Sequence, residues 1–147
     1  MARVEQFEFQ VSSQAVDAQS VQERVIAALE RLEYTERDVF GTRLALEEAV
    51  VNAMKHGNRM DPGKRVTIGC RVDSDVARFE IEDEGPGFCP DSVPDPTADE
   101  NLDKPSGRGI MLMRAFMNVV EFNERGNRVV MEKWRGAAVE ATSASPV

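Results

Sequence analysis

Asp83-Glu84-Gly85-Pro86-Gly87-Phe88, DEGPGF, closes a run in which Ala77, Phe79 and Ile81 alternate with polar neighbours. Alternation with a period of two marks a strand with one buried face. On that parity Asp83 falls on the same side as the apolar residues. A carboxylate on a buried face at a strand end needs something to hydrogen-bond to it. An ordinary hairpin turn asks for about one glycine and no paired acids at its root. Gly85 and Gly87 take side chains away where the backbone would approach a flat ligand. The acceptor oxygens of Asp83 suit an exocyclic amine such as that of adenine. A turn in which Asp83 caps its own backbone would use the same residues, so the stretch has to be read with its surroundings.

Upstream, RVTIGCRV (residues 65–72) puts Val66, Ile68, Cys70 and Val72 on one face. It predicts an antiparallel hairpin with the run that ends at Asp83. Further back, QFEFQV (6–11) reads as an opening strand. Ser20 and Glu23 form a capping-box pattern, followed by Val21, Val25, Leu29 and Leu32 at helical spacing, which predicts a helix over about residues 20–33. Thr35 with Asp38 starts a second helix that is expected to run to about Asn58, with Gly57 as its stop.

That second helix carries chemistry. Phe40, Leu44, Val50, Val51 and Met54, with Val39, Leu46 and Ala53, cover most of its circumference, so it is expected to be buried on several sides. Glu48, Asn52 and His56 recur every four residues along one stripe beside Ala45 and Ala49. A polar stripe on a buried helix must meet a polar site, solvent or a partner, because burial without partners costs several kcal/mol. A solvated edge with a Glu–Asn hydrogen bond would serve as well.

Downstream, residues 85–107 hold prolines 86, 90, 94, 96 and 105 with several acids and no apolar period. A loop that long inside a compact domain is a lid, a binding loop or a disordered insert. SGRGI (106–110) follows. Gly107 and Gly109 flank Arg108 at a predicted helix start near Gly109, where backbone N–H groups, the positive helix end and a guanidinium make an anion site. Lys104 could add charge from the loop. A flexible linker into a helix is the simpler alternative. VVEFNERGNRVVMEKW (119–134) then reads as a closing hairpin across Arg125-Gly126-Asn127, and residues 136–147 as a frayed tail.

The chain has 147 residues, 41% of them hydrophobic and 30% charged, which suits one soluble domain with a core of its own. No apolar run approaches the roughly 20 residues of a membrane span. The opening MARVEQFEFQ has no apolar segment of the signal-peptide kind. Two cysteines, Cys70 and Cys89, and one histidine suggest neither a disulfide framework nor a structural zinc site, and a cytoplasmic location is expected. A formal net charge of −8 argues against nucleic acid as the main partner.

Glu48 and Asn52 on a helix, Asp83-x-Gly85-x-Gly87 after a strand, a long loop, then Gly107-x-Gly109 into a helix form an ordered set. LALEEAVVNAMKHGN (44–58), IEDEGPGF (81–88) and SGRGIMLMRAFMNVVEF (106–122) resemble the motifs of the GHKL superfamily, ATPases with the Bergerat nucleotide-binding fold. Within it they look most like the bacterial anti-sigma-factor serine kinases, and the likeness covers about residues 10–135. The resemblance implies an α+β fold, a two-layer α/β sandwich with a mixed, mostly antiparallel sheet and helices packed on one face. It implies one kinase domain over residues 1–135 with a lid at about 88–106.

It also implies roles. Glu48 matches the general base and Asn52 the residue that holds Mg²⁺ between the phosphates of ATP. Asp83 matches the acceptor for the adenine amino group, in a pocket shaped by Gly85 and Gly87. Gly107, Arg108 and Gly109, with Lys104 and Ile110, match the segment that wraps the phosphates. His56 and Gly57 match a pair concerned with packing. Relatives carry a Gly-Thr before the last strand, the threonine helping the adenine site; Val129 or Val130 is expected to stand there instead. The implied partners are a sigma factor, an antagonist protein with an acceptor serine, and a second copy in a homodimer, with no direct nucleic acid and no membrane. The implied role is transcription regulation in a stress response. The competing readings are a non-catalytic ATP-gated binding module and the catalytic half of a two-component histidine kinase, which lacks support because the only histidine sits inside the first motif.

Overall fold

The computed structural model describes residues 3–12, 15–58, 61, 63–85 and 107–139. Gly87, Lys104, the expected lid at 88–106 and residues 140–147 lie outside the described residues. The elements in chain order are β1 (Val4–Ser12), α1 (Ala15–Arg31), α2 (Glu36–Asn52), β2 (Arg65–Asp73), β3 (Val76–Glu82), α3 (Gly107–Phe116), β4 (Val119–Phe122) and β5 (Arg128–Trp134).

The strands form one sheet in the order β1-β2-β3-β5-β4. Every neighbouring pair is antiparallel, so the expected α+β sandwich forms with its sheet at the fully antiparallel limit. The reason is the position of β5, which inserts between β3 and β4. The buried strand residues share one parity, as the alternation requires: Val66, Ile68, Cys70 and Val72 in β2, Ala77, Phe79 and Ile81 in β3, Val129 and Met131 in β5. They meet Val21, Val25 and Leu29 of α1, Leu46 and Val50 of α2, and Ile110 and Met113 of α3. Burial pushes the Cys70 thiol up to about 12, the behaviour of an inert core cysteine. The opposite face is charged, with Arg78 paired to Glu80 and Glu132, and Arg128 paired to Glu80.

The helices depart from expectation in three places. α1 begins at Ala15 rather than near residue 20, so Ser20 and Glu23 lie inside the helix. α2 opens as predicted: Asp38 N donates to Thr35 Oγ1 at 3.0 Å and Thr35 N to Asp38 Oδ2 at 3.2 Å, a complete capping box. It is not buried all round, however. Phe40 is 57% exposed and Val51 39% exposed, because the sheet, α1 and α3 cover only part of its circumference. Finally, α2 passes into a π-helical turn over Ala53–Gly57.

Two polar contacts fix the frame. Lys133, only 4% exposed, donates from Nζ to the carbonyl of Phe116 at 2.7 Å and so closes the C-terminal end of α3 from below. Glu5 of β1 accepts from Arg31 Nε at 2.9 Å, from Arg31 Nη2 at 2.6 Å and from Arg24 Nη1 at 3.2 Å. The bond to Arg31 foremost, with burial opposing it, holds the Glu5 carboxyl down at about 2. A depressed folded pKa stabilises the fold above the ordinary value of 4.5 and ceases to do so as pH falls towards 2. Glu5→Gln should therefore cost a little stability near neutral pH, and its urea-midpoint gap to the wild type should narrow on acidification into that window. A gap that widened there would contradict the ion-pair assignment.

Candidate functional site

The site is built where α2, the turn after β3 and the start of α3 meet. α2 and α3 run antiparallel and in close contact. A methyl group placed on Gly41 of α2 would stand 3.2 Å from Phe116 Cβ near the end of α3. One placed on Gly109, in the first turn of α3, would stand 2.9 Å from Glu48 Oε2 and 3.5 Å from Asn52 Nδ2. Gly109 is therefore the residue that lets the positive end of α3 reach the Glu48–Asn52 stripe. Gly107 and Arg108 occupy the two preceding helical positions. Ile110 is buried in the core, so what it can offer a ligand is its backbone N–H.

Glu48 and Asn52 are half-buried and adjacent on α2. The Asn52 Nδ2 atom is buried with no hydrogen-bond partner among the described residues. A buried amide without a partner is costly, and here it faces the space that the missing Cβ of Gly109 leaves. An asparagine brings one neutral carbonyl oxygen and two amide hydrogens. That donor set, beside the free N–H groups of a helix start, fits a phosphate chain carrying Mg²⁺, with most metal ligands supplied by phosphate and water.

Asp83 is 9% exposed. Its Oδ1 accepts from the Gly85 N–H at 2.7 Å, the self-capping turn that the residues allowed. Burial, foremost, raises its pKa above the usual carboxylate value, against the bond from Gly85. The carboxylate thus takes up a proton at a higher pH than an exposed one, and acidification would remove this acceptor early. The same upward shift makes the charged form a burden on the fold at neutral pH that eases as pH falls.

Gly57 and Gly85 are where side chains cannot stand. A methyl on Gly57 would lie 2.3 Å from the Asp83 carboxylate, and one on Gly85 would lie 1.9 Å from the Gly57 carbonyl oxygen. The end of the α2 motif and the DEG turn are thus pressed together backbone to backbone. Gly57 belongs to the walls of this site.

Two asparagines escaped the sequence reading. Asn58, 1% exposed, donates from Nδ2 to the Arg65 carbonyl at 3.0 Å and accepts at Oδ1 from Glu84 N–H at 2.8 Å. Across the sheet, Ile81 pairs with Val129 and Glu82 with Arg128, so the next position opposite Asp83 is Asn127. The Asp83 N–H donates to the Asn127 carbonyl at 2.9 Å, and Asn127 Nδ2 donates to the Asp83 carbonyl at 3.2 Å. This corrects the expectation that Val129 or Val130 fills the place of the threonine. Val129 is buried opposite Ile81, and Val130 pairs with Glu80. Gly126-Asn127, with Gly126 at φ 77°, stands where Gly-Thr was expected. The dipeptide itself was the available signal.

Residues 11–133 match the histidine kinase-like ATPase domain family. The anti-sigma F factor of Clostridium perfringens is 28% identical over 116 residues, covering 74% of this chain and 81% of that protein. The anti-sigma F factor of Oceanobacillus iheyensis is 30% identical over 115 residues, covering 74% and 78%. That of a Geobacillus species is 31% identical over 117 residues, covering 75% and 79%. Among solved structures, the RsbU and RsbW domains of Rv1364c from Mycobacterium tuberculosis superpose with a TM-score of 0.60 at 14% identity, over 91% of this chain. This chain spans about a third, 34%, of that one.

Proposed function

The chain belongs to the histidine kinase-like ATPase domain family, and from that premise we propose that it is an ATP-dependent serine protein kinase that binds and inhibits a sigma factor. By phosphorylating a serine on a small antagonist protein it would inactivate that antagonist, so that the two partners compete for one switch. The observation that carries this reading is the contact of Gly109 with Glu48 and Asn52. Residues some sixty positions apart supply a base, a metal ligand and a helix start at one point. The identity of relatives named as anti-sigma F factors supports the choice of partner.

Bound Mg-ATP supplies the phosphoryl group. Phosphoryl transfer leaves the protein little covalent work; it must align the acceptor and offset charge. Glu48 orients the serine hydroxyl and takes its proton. Asn52 would hold the metal, and the N-terminal turn of α3, with Gly107, Arg108 and Gly109, would offset the charge of the phosphates. Asp83 accepts from the adenine amino group. A homodimer in the cytoplasm, contacting neither nucleic acid nor membrane, is the expected working form. Among the described residues no helix is long and apolar enough to cross a membrane.

The test is a calorimetric Mg-ATP titration followed by a phosphoserine assay with candidate antagonists. Asn52→Ala should weaken Mg-ATP binding by about tenfold or more. Absence of binding to the wild type at millimolar Mg-ATP would sink the proposal. Stoichiometric binding with no product, for any antagonist that the protein captures, would leave the ATP-gated binding module instead.

A further inference from the structure

We propose that Asn58, acting with Glu84 and Arg65 and opposed by Asn127, is a positioning residue that sets how strongly the site prefers a 6-amino purine over a 6-oxo purine. The inference rests on the proposed ATP site and concerns residues that carry no role there.

The observations form a closed ring. Asn58 Oδ1 accepts from Glu84 N–H at 2.8 Å, and Asn58 Nδ2 donates to the Arg65 carbonyl at 3.0 Å. The Arg65 N–H in turn donates to the Glu84 carboxylate Oε2. Three segments that no local interaction would unite are thereby tied: the end of the π-helical turn, the first residue of β2 and the residue after Asp83. On the other side, Asn127 holds the Asp83 backbone by both its N–H and its carbonyl. Asn127 is itself fixed, since its Oδ1 accepts from Asn123 Nδ2 at 2.8 Å.

Asp83 is therefore gripped on both flanks, and its carboxylate is pressed to Gly57. A hydrogen bond from a ligand amine is sensitive to distance and angle. A carboxylate acceptor rewards a donor and is left unpaired, or repelled, by a carbonyl at the same place. Discrimination between the two purines is thus a direct reading of how well Asp83 is placed. Overall ATP affinity is not, because the phosphates contribute to it whatever the base does.

The experiment measures dissociation constants of Mg-ATP and Mg-ITP for the full chain. Variants are Asn58→Ala, Asn127→Ala, Glu84→Ala and Glu84→Gln, with circular dichroism and melting recorded for each. Glu84 is exposed, so its variants should fold even where Asn58→Ala does not. Glu84→Gln keeps an oxygen acceptor for the Arg65 N–H and serves as the conservative rescue. The wild type is expected to favour ATP over ITP by about tenfold or more. Glu84→Ala and any folded asparagine variant should lower that ratio to about threefold or less, chiefly through weaker ATP binding. Glu84→Gln should keep most of the ratio. If folded Glu84→Ala keeps the wild-type ratio, the inference is overturned while the ATP site stands. If the wild type binds ATP and ITP alike, the role of Asp83 and this inference both fall. If it binds neither, the proposed function falls with them.

Discussion

Replacing Glu48 by glutamine is expected to reduce phosphoryl transfer by about 10²–10⁴-fold, the usual contribution of a positioned base, while Mg-ATP affinity stays within about threefold of the wild type. The side chain is half-buried on α2 and its Oε2 stands against Gly109 at the start of α3. Glutamine keeps the shape and one oxygen acceptor, so packing and the neighbouring Asn52 should be undisturbed. What it loses is the ability to take a proton from the acceptor hydroxyl. The measurement is single-turnover transfer to the antagonist at saturating Mg-ATP, with binding followed separately. Equal transfer rates for Glu48→Gln and the wild type would remove Glu48 from the chemistry. An equal fall in affinity and rate would make it a binding residue.

Gly85→Ala should be the most damaging single change in the site. The added methyl would lie 1.9 Å from the Gly57 carbonyl oxygen, and that atom is backbone, with no rotamer to relieve the clash. The turn after Asp83 would have to part from the end of the α2 motif. Overpacking of this kind costs about 1–3 kcal/mol or more. It would also displace Asp83 and the Asn58–Glu84 bond, so Mg-ATP binding should fall by more than about a hundredfold. Gly69→Ala is the matching control. A methyl there meets nothing within 4 Å, and in a strand it should be neutral or slightly stabilising. Thermal melting and Mg-ATP titration of the pair read the contrast. Near-wild-type binding by Gly85→Ala would mean that the two glycine segments are not packed as described.

Local chemistry made much of the fold legible. Alternation in β2 and β3 gave both strands and their hairpin, and the Thr35–Asp38 pair gave the start of α2, since each signal lies within a few residues of what it decides. Glu48, Asn52, Asp83 and Gly109 were legible as an ordered set of polar residues and a glycine, and the structure brings Gly109 against Glu48 and Asn52. Other features were silent. The exposure of Phe40 and Val51 depends on which side of α2 lacks a neighbour, and an apolar residue has the same letter either way. Asn58 and Asn127 look like ordinary loop residues, because a carboxamide beside a turn gives no sign of a partner that is distant in the chain.

By itself, the amino-acid sequence determined the strands, the body of each helix and the buried face of the sheet, since these follow from side-chain type and period. Only the tertiary structure decided where β5 goes. Its alternation fits beside β3 or beyond β4 equally well. The packed sheet inserts it next to β3, and that non-local pairing carries Gly126-Asn127 to Asp83 and lets Lys133 close α3. Contacts between distant segments are settled by the shared core they bury, and no short stretch of sequence contains both sides of that core.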